Sequence, residues 1–223
     1  MQNNIKTVAE VISIQVGDVV TIGDENSNDI TTKLYTTASY KKPIDKIFEV
    51  TKLSIIGDSV ADTIHHGGVD KAVFANSLQN YNHWKQYLNL DDIPCGALGE
   101  NLTIDGIDEY TVCIGDIHQI GSVKLQVSQP RQPCWKISRR WQQKDFMKEI
   151  YTSGLTGWYY RVLEEGSFKA NDKVKYVSSL DIGSKIKIIT ANKAMRNQRQ
   201  YQDLVERLYY LDELAPAWKK SLK

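Results

Sequence analysis

The sequence predicts a mainly β chain, a barrel or sandwich with a few helices between its strands, followed by a small all-helical tail. Two observations carry this. Up to about residue 180 the chain is a succession of short runs rich in β-branched and aromatic residues, punctuated by Gly, Asp and Asn. After about Ser179 helix formers take over. This change of texture divides the chain into a β domain over 1–180 and a helical domain over 181–223. A length of 223 residues suits one large domain with such an appendage.

The expected strands lie, in order, in VAEVISIQVGD (8–18), YKKPIDKIFEV (40–50), KLSIIGD (52–58), DKAVFA (70–75), NLTI (101–104), CIGDIHQIG (113–121), SVKLQVSQ (122–129), GWYYRVLEEG (157–166) and DKVKYVS (172–178). IHQIGSVKLQV reads as a hairpin turning on Gly121-Ser122. Two helical stretches interrupt the strands. Ser77 is placed to cap SLQNYNHWKQYL, where Leu78, Tyr81, Lys85 and Leu88 share one side. The other follows Pro133 through CWKISRRW and KDFMKEIYTSG, with Gly154 as its stop. In the tail, Thr190 is a candidate cap and Pro216 a helix boundary, giving two or three short helices. About 40 residues are marginal as an independent fold. The tail is therefore expected to pack on the barrel or on another subunit, which leaves a homodimer open.

Apolar residues make up 41% and charged residues 25% of the chain, ordinary globular usage. With 28 basic against 27 acidic side chains there is no global field for a nucleic-acid polymer or an anionic membrane. The N-terminal segment lacks a signal-peptide layout, and the apolar runs are too short to span a bilayer. Cys95, Cys113 and Cys134 are too widely spaced for a disulfide framework or a CxxC zinc site. A cytoplasmic, reduced-thiol protein is expected.

Three stretches carry chemistry. In QPRQPCWKIS (129–138), Pro133 suits a first helical turn, which would set Cys134 among unpaired N–H groups. Arg131, Lys136, Arg139 and Arg140 surround it, and such a setting favours a thiolate, the form that attacks and ligates. A buried thiol acting as a small hydrophobe explains the same residue about as well. In HHGGVDKAV (65–73), His65 and His66 stand beside Gly67 and Gly68, whose backbone can approach a ligand, with Asp70 and Lys71 following. A plain turn between strands is the competing reading. In CGALGENLTIDG (95–106), Glu100 and Asn101 offer an acceptor and an amide, or simply a loop entering a strand.

Taken in order, HHGGVDKAV, GALGENLT, IGDIHQIGSVKLQVSQPRQPC and TGWYYRVLEEG resemble the MOSC domain, the molybdenum cofactor sulfurase C-terminal domain, and within it the bacterial YiiM-like group. The tail from about Lys185 is similar to that group's three-helix extension. The resemblance implies a MOSC-type β-barrel that handles the molybdenum cofactor (molybdopterin), with Cys134 as ligand to molybdenum and Arg131 holding pterin or phosphate oxygens. His66, Gly67, Gly68, Asp70, Lys71, Glu100 and Asn101 match the family's HGGxDKA and GEN elements and are expected to line the same pocket. Val69 departs from a frequent proline, which loosens the turn without removing a functional group. The implied activity is reduction of N-hydroxylated small molecules, such as N-hydroxylated purine bases, with His65 or His66 delivering a proton. No GxGxxG element or cysteine cluster is present for a flavin or iron–sulfur centre, so electrons would come from a separate reductase. Alternatives are a non-catalytic carrier of the cofactor, or of sulfur as a Cys134 persulfide, and a thiol hydrolase built on Cys134.

Overall fold

Alternation of apolar and polar side chains sets the architecture. The computed structural model describes residues 6–29 and 32–222. Its strands are β1 (Lys6–Val16), β2 (Val20–Ile22), β3 (Tyr35–Thr37), β4 (Lys42–Pro43), β5 (Phe48–Val50), β6 (Val73–Ser77), β7 (Leu102–Asp105), β8 (Ile117–Ile120), β9 (Val123–Pro130), β10 (Trp158–Glu164), β11 (Gly166–Phe168) and β12 (Lys173–Ser178). The helices are α1 (Tyr81–Leu88), α2 (Lys136–Arg140), α3 (Phe146–Ser153), α4 (Ile188–Arg196), α5 (Gln202–Tyr210) and α6 (Pro216–Lys219). Seven strands close a barrel in the order β12-β8-β9-β10-β6-β7-β1, with β1 pairing back onto β12. Within it only β6 and β7 run parallel. The chain is thus mixed α/β around a β-barrel, with more helix than the mainly β class expected.

In β9, Val123, Leu125 and Val127 alternate with half-buried Lys124 and Gln126; in β10, Trp158, Tyr160 and Val162 do the same around Tyr159 and Arg161. The buried set joins Val11, Ile14, Leu102, Ile104 and Val174 in one core. The expected hairpin is present, Ile120 pairing with Val123 across a two-residue turn. Gly121 has φ 55° there, and a Cβ would meet the Ser167 carbonyl at 2.3 Å, so only glycine fits.

Three local expectations were overturned. KLSIIGD forms no strand, and only Ile55 bridges to Val50. The Thr51 hydroxyl accepts the N–H groups of Leu53 and Ser54, each at 3.3 Å, a local turn that competes with ladder pairing. The helix after Pro133 starts late, at Lys136. Thr190 lies inside α4; that helix's first donors are met instead by the barrel loop, Ile188 N–H to Val112 O at 3.0 Å and Ile189 N–H to Glu109 O at 2.9 Å. Ser77, Gly154 and Pro216 do sit at the helix boundaries expected of them.

The tail shares the barrel's core through Ile188, Ala191, Leu208, Ala215 and Trp218. The helices inserted between strands make a second cluster, with Tyr81 and Trp84 of α1, Leu98, Ile137, and Phe146 and Ile150 of α3. Among the described residues no helix is long and apolar enough to cross a membrane.

Glu109 is fully buried at the junction of tail and barrel. Its carboxylate accepts from Asn80 Nδ2 at 3.0 Å and from Gly157 N at 2.6 Å. Burial outweighs these donors and pushes its pKa up to about 7. The folded state therefore binds this proton more tightly than the unfolded chain. The associated stability is complete below the unfolded carboxyl value and is lost as pH rises through the folded one. Glu109→Gln should gain roughly 2–3 kcal/mol on the wild type between pH 5 and pH 8 in urea unfolding. A pH-independent difference would show that Glu109 is ionised throughout.

Candidate functional site

Between the barrel and the second cluster lies a cavity of about 130 Å³. Four segments, together with Phe74 of β6 and Tyr159 of β10, form its wall: a strap over residues 37–62, the glycine turn before β6, the corner before β7, and the chain leaving β9. His66, Gly67, Lys71, Asn101, Arg131 and Cys134 all line it.

Arg131 directly follows β9, where its N–H donates to Gly157 O at 3.1 Å. Its side chain crosses the Phe74 ring at 5.3 Å, and Nη2 donates to Leu98 O at 3.4 Å. The residue is 7% exposed, yet Nη1 has no partner and no described carboxylate pairs with the guanidinium. Glu100 acts on it only at longer range; a buried cation without a directly paired counter-ion costs several kcal/mol, so this one is poised for an anion. Cys134 is half-buried and close enough to interact electrostatically with Arg131 and Tyr159. Because α2 has five residues and begins two positions later, its dipole lends Cys134 little; the local positive field comes from side chains.

The glycine turn is built for close approach. Gly67 and Gly68 hold φ of 77° and 84°, and Val69–Lys71 form a single 3-10 turn into β6. His66 donates its N–H to Asp62 O at 2.9 Å. Burial, then the Arg131 charge, pushes its imidazole down to about 4, leaving it neutral at pH 7. Lys71 Nζ donates to the His65 carbonyl at 2.7 Å.

Four residues selected from the sequence stand outside the cavity wall. The His65 ring is 74% exposed and lies 3.0 Å from the Asp62 carboxylate. Gly68 serves the turn behind Gly67. Asp70 pairs with Arg161 at 2.8 Å, while its carbonyl accepts from the Ser128 hydroxyl at 2.5 Å. Glu100 is fully buried; it accepts from Leu98 N at 2.9 Å, from Gly96 N at 3.1 Å and from the Tyr81 hydroxyl. Gly68, Asp70 and Glu100 shape the wall from behind, while the His65 ring faces solvent.

Lys41 and Asp58 were not anticipated. Both line the cavity, with side chains 8% and 7% exposed, and they form an ion pair. Asp58 also accepts from Gly17 N at 3.1 Å and from Asn101 Nδ2 at 2.8 Å. Asn101 closes the knot, its Oδ1 accepting from Phe74 N at 3.1 Å. Both residues sit in the strap, in runs that read from the sequence only as strands and not as parts of a site.

The family model of the MOSC domain matches residues 62–175, the stretch holding the glycine turn, the β7 corner and Cys134. The chain belongs to the MOSC domain family. YflK of Bacillus subtilis is 33% identical over 83% of this MOSC chain and 82% of its own. The crystal structure of YiiM from Geobacillus stearothermophilus superposes with a TM-score of 0.77 at 28% identity, covering 96% of this chain and 97% of that one. A Gibberella moniliformis protein named a reductase is 34% identical over 62% of this chain, which corresponds to 25% of that longer protein.

The MOSC family is associated with the molybdenum cofactor. The residues here fit such a group. Lys41, Lys71, Arg131 and Lys136 outnumber Asp58 and Asp62 around the cavity, the Arg131 Nη1 is orphaned, and Cys134 supplies a soft donor. Among the described residues no cluster of three or more His, Cys, Asp or Glu can cage a bare metal ion.

Proposed function

We propose that this MOSC protein is a molybdenum-cofactor-dependent reductase of N-hydroxylated small molecules. The observation that carries the reading is the meeting of Cys134 with a buried Arg131, which no described carboxylate pairs with, in one cationic cavity. The reductase name of the Gibberella relative and the family's association with the cofactor support it.

In this reading the Cys134 sulfur ligates molybdenum, while Arg131 and Lys71 hold anionic oxygens of the cofactor through charge-assisted hydrogen bonds. Gly67 lets the backbone approach without a Cβ in the way. Gly68, Asp70, Glu100 and Asn101 fix the wall that presents these groups. The neutral His66 donates or accepts a hydrogen bond at the reacting group. When bound, the cofactor supplies two-electron, oxygen-accepting redox chemistry. The balance is R–NHOH + 2 e⁻ + 2 H⁺ → R–NH2 + H2O, the electrons coming from a separate flavin- or iron–sulfur-containing protein.

The test is to purify the chain from cells that make the cofactor, then assay molybdenum and the reduction of N-hydroxylaminopurine with reduced viologen. The wild type should contain molybdenum and form the amine, and Cys134→Ala should lose both. Metal-free, inactive wild type, or full activity in Cys134→Ala, would sink the proposal. A persulfide on Cys134 without turnover would instead mark a carrier.

A further inference from the structure

N–O cleavage consumes two protons, and the chain must place at least one donor where the nitrogen is released. The imidazoles do not meet this need: His66 is neutral at pH 7, and His65 faces Asp62 outside the cavity wall. Arg131 does not give up a proton at working pH. Burial pushes the Tyr159 hydroxyl up and makes it a weaker acid. Burial lowers the Lys71 ammonium too, but that group is tied to the His65 carbonyl and is the one assigned above to the cofactor's oxygens.

Three observations together favour Lys41. Its side chain is 8% exposed while lining the cavity. It is oriented by Asp58, which is itself fixed from two other sides by Gly17 and Asn101. Burial lowers its pKa, against the opposing charges of Asp58 and Glu100 that face it, so it yields a proton more readily than an exposed lysine.

Resting on the function proposed above, we infer that Lys41 is the general acid of the reaction, with Asp58 and Asn101 as its positioning residues. As the N–O bond breaks, one proton passes from Lys41 Nζ to the departing nitrogen, leaving a neutral amine hydrogen-bonded to Asp58. Solvent at the cavity mouth restores the ammonium. The second proton completes water at the oxygen, and both electrons come from the external donor.

Lys41→Arg keeps the charge and the pairing with Asp58 but removes a transferable proton. In molybdenum-loaded protein its kcat for N-hydroxylaminopurine should fall about a hundredfold, with molybdenum content, KM and melting temperature close to wild type. The wild-type pH profile should show an alkaline limb below the usual lysine value of about 10.4, carrying a solvent isotope effect. Asp58→Asn should move that limb to lower pH, because the neighbouring negative charge is gone. Retention of kcat and of the alkaline limb in Lys41→Arg overturns the assignment. So does loss of molybdenum, which would make Lys41 a cofactor-holding residue. If Lys41→Arg does not fold, a wild-type alkaline limb that Asp58→Asn leaves in place overturns it equally. An inactive, molybdenum-loaded wild type overturns the proposed function itself, a result distinct from all of these.

Discussion

Arg131→Met should make the metal-free protein more stable while abolishing its hold on the cofactor. Arg131 is 7% exposed, its Nη1 is unpartnered, and burial does most to lower its pKa. Replacing such a cation with an unbranched apolar side chain removes the desolvation cost and keeps contact with the Phe74 ring. We expect a gain of about 1–2 kcal/mol, or roughly 3–6 °C in melting temperature for a chain of this size. Removing the buried partner of an anion costs about 4 kcal/mol, near a thousandfold in affinity. Molybdenum assayed after purification from cofactor-making cells should therefore fall to background. Stability and retention moving in opposite directions is the signature of a residue kept for binding. Arg131→Met that is destabilised and still loaded with molybdenum would return Arg131 to a packing role.

That unpaired charge also shows which parts of the site were legible in the sequence. β1, the β8–β9 hairpin and β10 were readable because period-two alternation and a Gly-Ser turn are local properties. The convergence of His66, Asn101, Arg131 and Cys134 was legible only as an ordered set of motifs, since no short-range pattern brings residues so far apart in the chain to one cavity. Lys41 and Asp58 were invisible for a related reason. Asp58 draws its donors from 17, 41 and 43 residues away, and the runs that hold Lys41 and Asp58 read from the sequence only as strands, which says nothing of a shared pocket. Side-chain direction was the other blind spot. Asp70 and Glu100 stand in motifs that suggested pocket walls, but they turn to Arg161 and to the backbone of the 96–98 corner. Spacing along a loop does not say which way a carboxylate faces.

Glu100 makes that distinction measurable. It gathers the N–H groups of Gly96 and Leu98, the Tyr81 hydroxyl and the Thr103 hydroxyl around one fully buried carboxylate. It thereby ties α1 and β7 to the corner whose Leu98 carbonyl receives Arg131 Nη2. Glu100→Ala would strand those donors in a space water does not fill, for a loss of about 3–5 kcal/mol. For a chain of this length that is a fall of roughly 10 °C in melting temperature. Glu100→Gln keeps the shape and one acceptor but turns an amide N–H2 toward backbone donors, so about half that loss is expected. Both variants should still take up molybdenum at a temperature where they remain folded, because the cavity's own donors, Arg131 and Cys134, are untouched. A Glu100→Gln protein that melts like wild type yet comes out of the cell without molybdenum would contradict this. The carboxylate would then belong to the ligand, and the corner would owe its shape to Gly96 and Gly99, which hold φ of 84° and 87°.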